Sequence, residues 1–139
     1  MDNLILEKLS NANEEQTVFV KATGFNDNVC MSVRVQIPCE DMLALGAECQ
    51  NLLQSPLMHQ WGKEEGAEDC LKLMVRGLPD GSAEGRLFMK AALRSDWCDT
   101  ACFAIESTLG NFDAFGAALP SFLKGDAGTV LALCRDIRY

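Results

Sequence analysis

The chain is poor in the residues on which most catalytic and metal chemistry depends. Its 139 residues include one histidine, one tyrosine, two tryptophans and four prolines. With His59 as the sole imidazole, a nucleophile–base pair or a mixed Cys/His metal site has little to draw on. Cations are also scarce. Twelve Lys and Arg face twenty Asp and Glu, for a formal net charge of −8. Nucleic-acid binding draws on clustered Lys and Arg, and anionic membranes attract the same residues, so both partners are disfavoured. No apolar run approaches the roughly 18 residues of a membrane-spanning helix. The N-terminal stretch MDNLILEKLSNANEEQ has no basic region, and Leu4-Ile5-Leu6 is shorter than a secretory h-region. A cytoplasmic protein is the expectation.

What is present is the composition of one globular domain, 1–139, with 48% hydrophobic and 23% charged residues. A chain of this size buries about two-thirds of its surface, enough for a core without staples. The seven cysteines, at 30, 39, 49, 70, 98, 102 and 134, sit in apolar contexts with no framework spacing. They read as free thiols in a reducing compartment.

Residues 17–24 are β-branched and aromatic. Residues 29–37 alternate, with Val29, Met31, Val33, Val35 and Ile37 on one face. FNDN between them predicts a hairpin. After Pro38, the spacing of Met42, Leu45, Cys49, Leu52 and Leu53 predicts a helix over 41–54, opened by Glu40 and Asp41. Residues 55–69 show no period and read as an exposed acidic loop. Strands are expected at 70–76, 86–94, 100–108 and 129–136, with LPDGSAEG as a turn. A second helix is expected over 110–124, kinked or shortened by Pro120. The fold class is therefore α+β: an antiparallel sheet with two helices packed on one face.

The order of elements repeats. VFVKAT at 18–23 matches LFMKAA at 87–92, and Met42, Leu45, Gly46, Ala47 and Leu53 match Phe112, Phe115, Gly116, Ala117 and Leu123. The offsets are 69 and 70. A duplicated ββαβ unit, with pseudo-repeats 17–77 and 83–136, competes with convergence enforced by strand and helix periods.

Candidate chemistry is thin. Cys98 and Cys102 lie four apart, the second on an expected strand, where four residues span about 13 Å, too far for one zinc. Cys39 near a helix start would gain acidity there, but Glu40 and Asp41 oppose it. No phosphate-binding glycine pattern occurs. No catalytic, cofactor or metal residue is assigned.

The runs MSVRVQIPCEDMLALGAECQNLL and CLKLMVRGLPDGSAEGRLFMKAALRSDWCDTACFAIESTLGNFDAFGAALPSFL, separated by a segment holding Trp61, resemble small bacterial families of about this length. Some are encoded beside secreted polymorphic toxins and are regarded as immunity proteins. The resemblance lies in the ordering of elements over residues 17–124. It implies glycines beside the first Trp and before the hydrophobic strand pair, places that Gly62 and either Gly81 or Gly85 fill. It supplies no functional residues.

The expected function is a non-enzymatic protein-binding domain, an immunity-type inhibitor of a basic toxin. Its candidate contacts are Glu64, Glu65, Glu68 and Asp69 in the acidic loop, with Trp61 as an anchor or, equally, a plug at the helix end. The rival is an acidic dimeric secretion chaperone or adaptor, which needs an apolar patch outside the core. A thiol-dependent enzyme using Cys39 or Cys98 is the third reading. No cofactor is expected, and a homodimer stays open.

Overall fold

A computed structural model describes residues 2–92 and 98–135. Ten elements follow in order: β1 (Asp2–Lys8), β2 (Thr17–Phe25), β3 (Cys30–Pro38), α1 (Cys39–Cys49), β4 (Leu57–Trp61), β5 (Cys70–Gly77), β6 (Ser82–Ala92), β7 (Cys98–Thr108), α2 (Leu109–Lys124) and β8 (Val130–Cys134). The class is α+β, but the strands form two antiparallel sheets rather than one, ordered β3-β2-β1-β8 and β4-β5-β6-β7. The single sheet with both helices on one face is thereby corrected. β1 and β4 lie outside the strands that the sequence pattern predicts. In β1, Leu4 and Leu6 are buried while Ile5 is only half-buried, an alternation too short to stand out. In β4, only Leu57 and Trp61 are fully buried, so LMHQW looked like loop. The expected loop residues 95–97, and the outer ends of the strands drawn to 94 and 136, lie outside the described residues.

With both strands counted, the order βββαβ occurs twice, as β1-β2-β3-α1-β4 and β5-β6-β7-α2-β8. Each sheet takes three strands from one half and its fourth from the other. β8 pairs with β1, and β4 pairs with β5, both antiparallel. Val18, Val20 and Ala22 of β2, Leu87 and Met89 of β6, and Phe103 and Ile105 of β7 join one hydrophobic cluster. Gly24 marks a close approach of the two sheets, since an added Cβ would lie within 3.0 Å of Leu87, Phe103 and Met89 side-chain atoms.

The helices contribute Met42, Leu45 and Cys49, and Phe112, Phe115, Leu119 and Phe122, to the same cluster. They cross at two glycines. A Cβ on Gly46 would lie 2.8 Å from the Gly116 carbonyl oxygen, and one on Gly116 would lie under 2.5 Å from that of Gly46. Pro120 does not shorten α2, which runs on to Lys124. Proline cannot donate to the carbonyl four residues back. That carbonyl belongs to Gly116 and lies against Gly46, in the type of backbone contact common where helices cross closely. The Thr108 hydroxyl caps α2 by accepting from the Asn111 N–H at 3.0 Å. Among the described residues, no helix is long and apolar enough to cross a membrane.

Candidate functional site

The acidic segment after β4 is a built loop. Gly62 starts it at φ +81°, where a Cβ would collide with the Asp69 carbonyl. Lys90 of β6, only 3% exposed, reaches beneath it. Its Nζ donates to the carbonyls of Lys63, Glu64 and Gly66 at 2.7, 3.0 and 3.1 Å. Asp69 closes the other end, its two oxygens accepting from the backbone N–H groups of Arg34 and Ala92, each at 2.8 Å. One carboxylate thus ties edge strand β3 of the first sheet to the end of β6 in the second.

Of the expected contacts, Trp61 is 5% exposed, in the core, and donates its indole N–H to Asp41 at 3.0 Å. Asp69 is engaged in the clasp just described. Glu64 pairs with Lys72 at 3.1 Å. Glu65 and Glu68 face solvent with no ion-pair partner among the described residues. Glu68 borders a groove of about 540 Å³ that includes Phe19, Gln36 and Lys63. Of the loop's four acids, Glu64 alone has a cationic side-chain partner among the described residues, Lys72, while Asp69 is held by backbone N–H groups and Lys90 lies beneath the loop on its carbonyls.

Further acidity lies on the helix pair, where Glu48 meets His59 while Glu40 and Asp113 have no ion-pair partner among the described residues. Glu40, Glu48 and Asp113 are exposed there, and the two helices carry no Lys or Arg before Lys124. Leu43 is half-exposed on the same helix, and Leu53 just beyond it. Glu40 and Asp41 were visible in the sequence as helix-start carboxylates. The lack of cations in each stretch is legible in the sequence, whereas the side-by-side placing of α1 and α2 is not.

His59 is engaged by the Glu48 carboxylate and stacks on Trp61, with ring centroids 5.3 Å apart. Cys39 is half-buried at the start of α1, and Cys98 is exposed. Burial pushes the Cys49 thiol up to about 12, with Glu48 and Asp113 adding repulsion. The Cys70 thiol is also raised, first by burial and then by Glu64 and Glu68, against the opposing pull of Lys90 and Lys72. Both shifts disfavour thiolates. No group of three or more His, Cys, Asp or Glu among the described residues is placed to hold a metal.

The outer face of the second sheet has a different character. The register aligns Met58, Met74, Arg86 and Ala104 across its four strands. Met58 is 68% and Met74 38% exposed. They line a shallow trough of about 760 Å³, with Arg76, Glu84 and Glu106 also at its border. Gly85 lets β6 run close beneath it, since a Cβ there would strike the Met74 carbonyl. The chain matches no family model, no curated protein and no solved structure.

Proposed function

We propose that the protein is a non-enzymatic, cytoplasmic protein-binding domain of the immunity type, which captures a basic toxin. One observation carries this reading: the exposed face of the helix pair displays Glu40, Glu48 and Asp113 with no cation before Lys124, beside the exposed Leu43. Carboxylates around an apolar contact suit a basic partner, which they steer on approach. Glu65 and Glu68 form a smaller second acidic feature. The matching halves, including the Gly46–Gly116 crossing, support descent from one duplicated βββαβ unit whose last strands are exchanged. The test is to search the adjacent reading frames for a secreted basic protein, express it and measure association against ionic strength. The expected result is a complex whose association rate falls with salt, more weakly so in a Glu40→Gln, Glu48→Gln, Asp113→Asn variant. A basic neighbour that does not bind, or a salt slope unchanged in the variant, overturns the assignment.

A second reading, an acidic dimeric adaptor, is favoured by the Met58–Met74 trough. Methionine surfaces adapt to varied apolar segments. Under this reading Met58→Lys lowers affinity for an unfolded client, with the helix-face acids having little influence.

A further inference from the structure

β7 is the terminal strand of the second sheet and spans 11 residues. Its hydrogen-bonding parity follows from its end, where the Leu109 N–H donates to the Gly81 carbonyl. Opposing pairs in an antiparallel ladder alternate. The odd residues of β7 therefore direct their backbone groups to β6, and the even ones direct theirs away. Glu106 agrees, since its carbonyl accepts from Asn3 Nδ2 at 2.9 Å. The outward N–H and C=O groups of Cys98, Thr100, Cys102 and Ala104 have no partner among the described residues. All four of those residues are exposed. The other edges are guarded or short. Asp69 occupies the Arg34 N–H of β3, and β4 and β8 have five residues each. Residues 100–104, TACFA, carry no proline and no charge, the usual protections of an open edge.

We propose that residues 98–104 of β7 pair antiparallel with the same residues of a second copy of this chain, about a twofold axis at Ala101. In this register Cys98 stands opposite Ala104 of the second copy, and Thr100 opposite its Cys102. Every residue with free outward groups is paired, and Glu106 keeps its bond to Asn3. A closed twofold contact requires a self-complementary patch. A chain of charge −8 repels its own copy, so the seam must be neutral. Between Asp99 and Glu106 this edge is neutral, and the register sets Asp99 opposite Phe103 rather than another acid. The two sheets become one of eight strands, with the two Met58–Met74 troughs on its same face. The contact is separate from the acidic helix face and holds whether or not a basic partner exists.

Sedimentation equilibrium of the native chain tests this, with an expected mass of twice 15.2 kDa. Thr100→Pro removes an outward N–H and leaves the β6 ladder intact, which edge strands tolerate. It should reduce the mass to 15.2 kDa and keep cooperative unfolding, with a midpoint that no longer rises with protein concentration. Ala101→Cys, combined with Cys30→Ser, Cys98→Ser, Cys102→Ser and Cys134→Ser at the exposed cysteines, places a single exposed-edge thiol at the central non-hydrogen-bonded pair. Cα atoms there stand about 4.5 Å apart, within disulfide range. Mild oxidation should then give a covalent dimer, which decides the matter even if the proline variant fails to fold. A monomeric native chain, a Thr100→Pro variant that keeps the double mass, or an Ala101→Cys variant that does not cross-link overturns the proposal. So does a monomer that gains mass only on adding an extended apolar peptide, which would assign the edge to peptide capture.

Discussion

The two halves of the chain use one scaffold and present different surfaces. The outer face of the first sheet bears Glu7, Lys21, Thr23, Ser32 and Arg34, with Thr23 and Ser32 hydrogen-bonded across the strands at 2.7 Å. Its β3 edge is fastened by Asp69. The outer face of the second sheet presents Met58, Met74 and Ala104 and ends in the unguarded β7. Inside, at an offset of 70, Gly46 and Leu45 of α1 match Gly116 and Phe115 of α2, and all four are buried. The first face also carries exposed Phe19 and Val130, so the difference is the methionine pair on the second face and the outward edge of β7 over residues 98–104, which no described residue occupies.

Matched core substitutions are the strongest way to break the comparison. Leu45 and Phe115 are 2% and 3% exposed, one on each helix. Leu45→Asp or Phe115→Asp buries a carboxylate without a partner, at a cost of about 4 kcal/mol or more. Both variants are expected to lose cooperative thermal unfolding. If one keeps the native melting temperature, the halves are not equivalent in the core.

The buried lysines sharpen the contrast. Lys21 and Lys90 correspond in VFVKAT and LFMKAA, yet Lys21 is half-exposed while Lys90 is buried under the loop carbonyls. The first half has its own buried lysine, Lys8, which donates to the carbonyls of Leu123 and Gly125 at the end of α2. Replacing either by Met loses charge-assisted bonds and strands carbonyls, of which the loop's can turn to water. Lys90→Met should cost about 2 kcal/mol and expose the amides of 63–69 to hydrogen exchange. Lys8→Met should instead loosen the end of α2. Exchange that rises in the same segment for both variants would show that the two lysines do not serve separate halves.

The sequence made the helices readable because their period is sustained over three turns or more. The hairpin of β2 and β3 was readable for a similar reason: long alternation interrupted by Asn and Asp. Strands at 70–76, 86–94 and 100–108 were readable as well, but their separation into a second sheet was not. Five-residue β4 contributes two buried side chains, and which strand β8 joins is a matter of chain path rather than local pattern. Among the site residues, the acids at 64, 65, 68 and 69 were visible as a charge run. The bonds that build their loop, from the Arg34 N–H to Asp69 and from Lys90 to the loop carbonyls, span 35 and 24 to 27 residues of sequence. The open edge of β7 is equally a property of sheet order. Nothing in TACFA distinguishes a terminal strand from an interior one.

Cys49 occupies the position in α1 that Leu119 fills in α2, so the first half alone carries an ionisable group at this place. Its folded pKa is raised to about 12 from an ordinary thiol value near 9. The unfolded chain therefore releases this proton first as pH rises. Stability from the neutral thiol is complete below about pH 9 and declines from there toward 12, by up to about 1.4 kcal/mol per pH unit for one proton. Denaturant melts at pH 8, 9.5 and 10.5 should show the decline, and Cys49→Ala should flatten it. The same slope in the Ala variant would assign the alkaline loss to other groups.

The smallest effect concerns the loop that joins the two halves. Glu65 and Glu68 are exposed and Glu64 shares only a surface pair with Lys72, a contact worth about 0–1 kcal/mol. Asp69 differs because its two backbone bonds hold β3 to β6. Replacing Glu64, Glu65 and Glu68 with Gln should leave the melting temperature nearly unchanged. Asp69→Ala should lower stability by about 1–3 kcal/mol, since two N–H groups lose a charged acceptor. A single run of acids thus divides by role: three display charge and one fastens the sheets together. Equal, small losses in both variants would mean that the Arg34 and Ala92 amides find water readily, and that the sheets are held by their apolar contact alone.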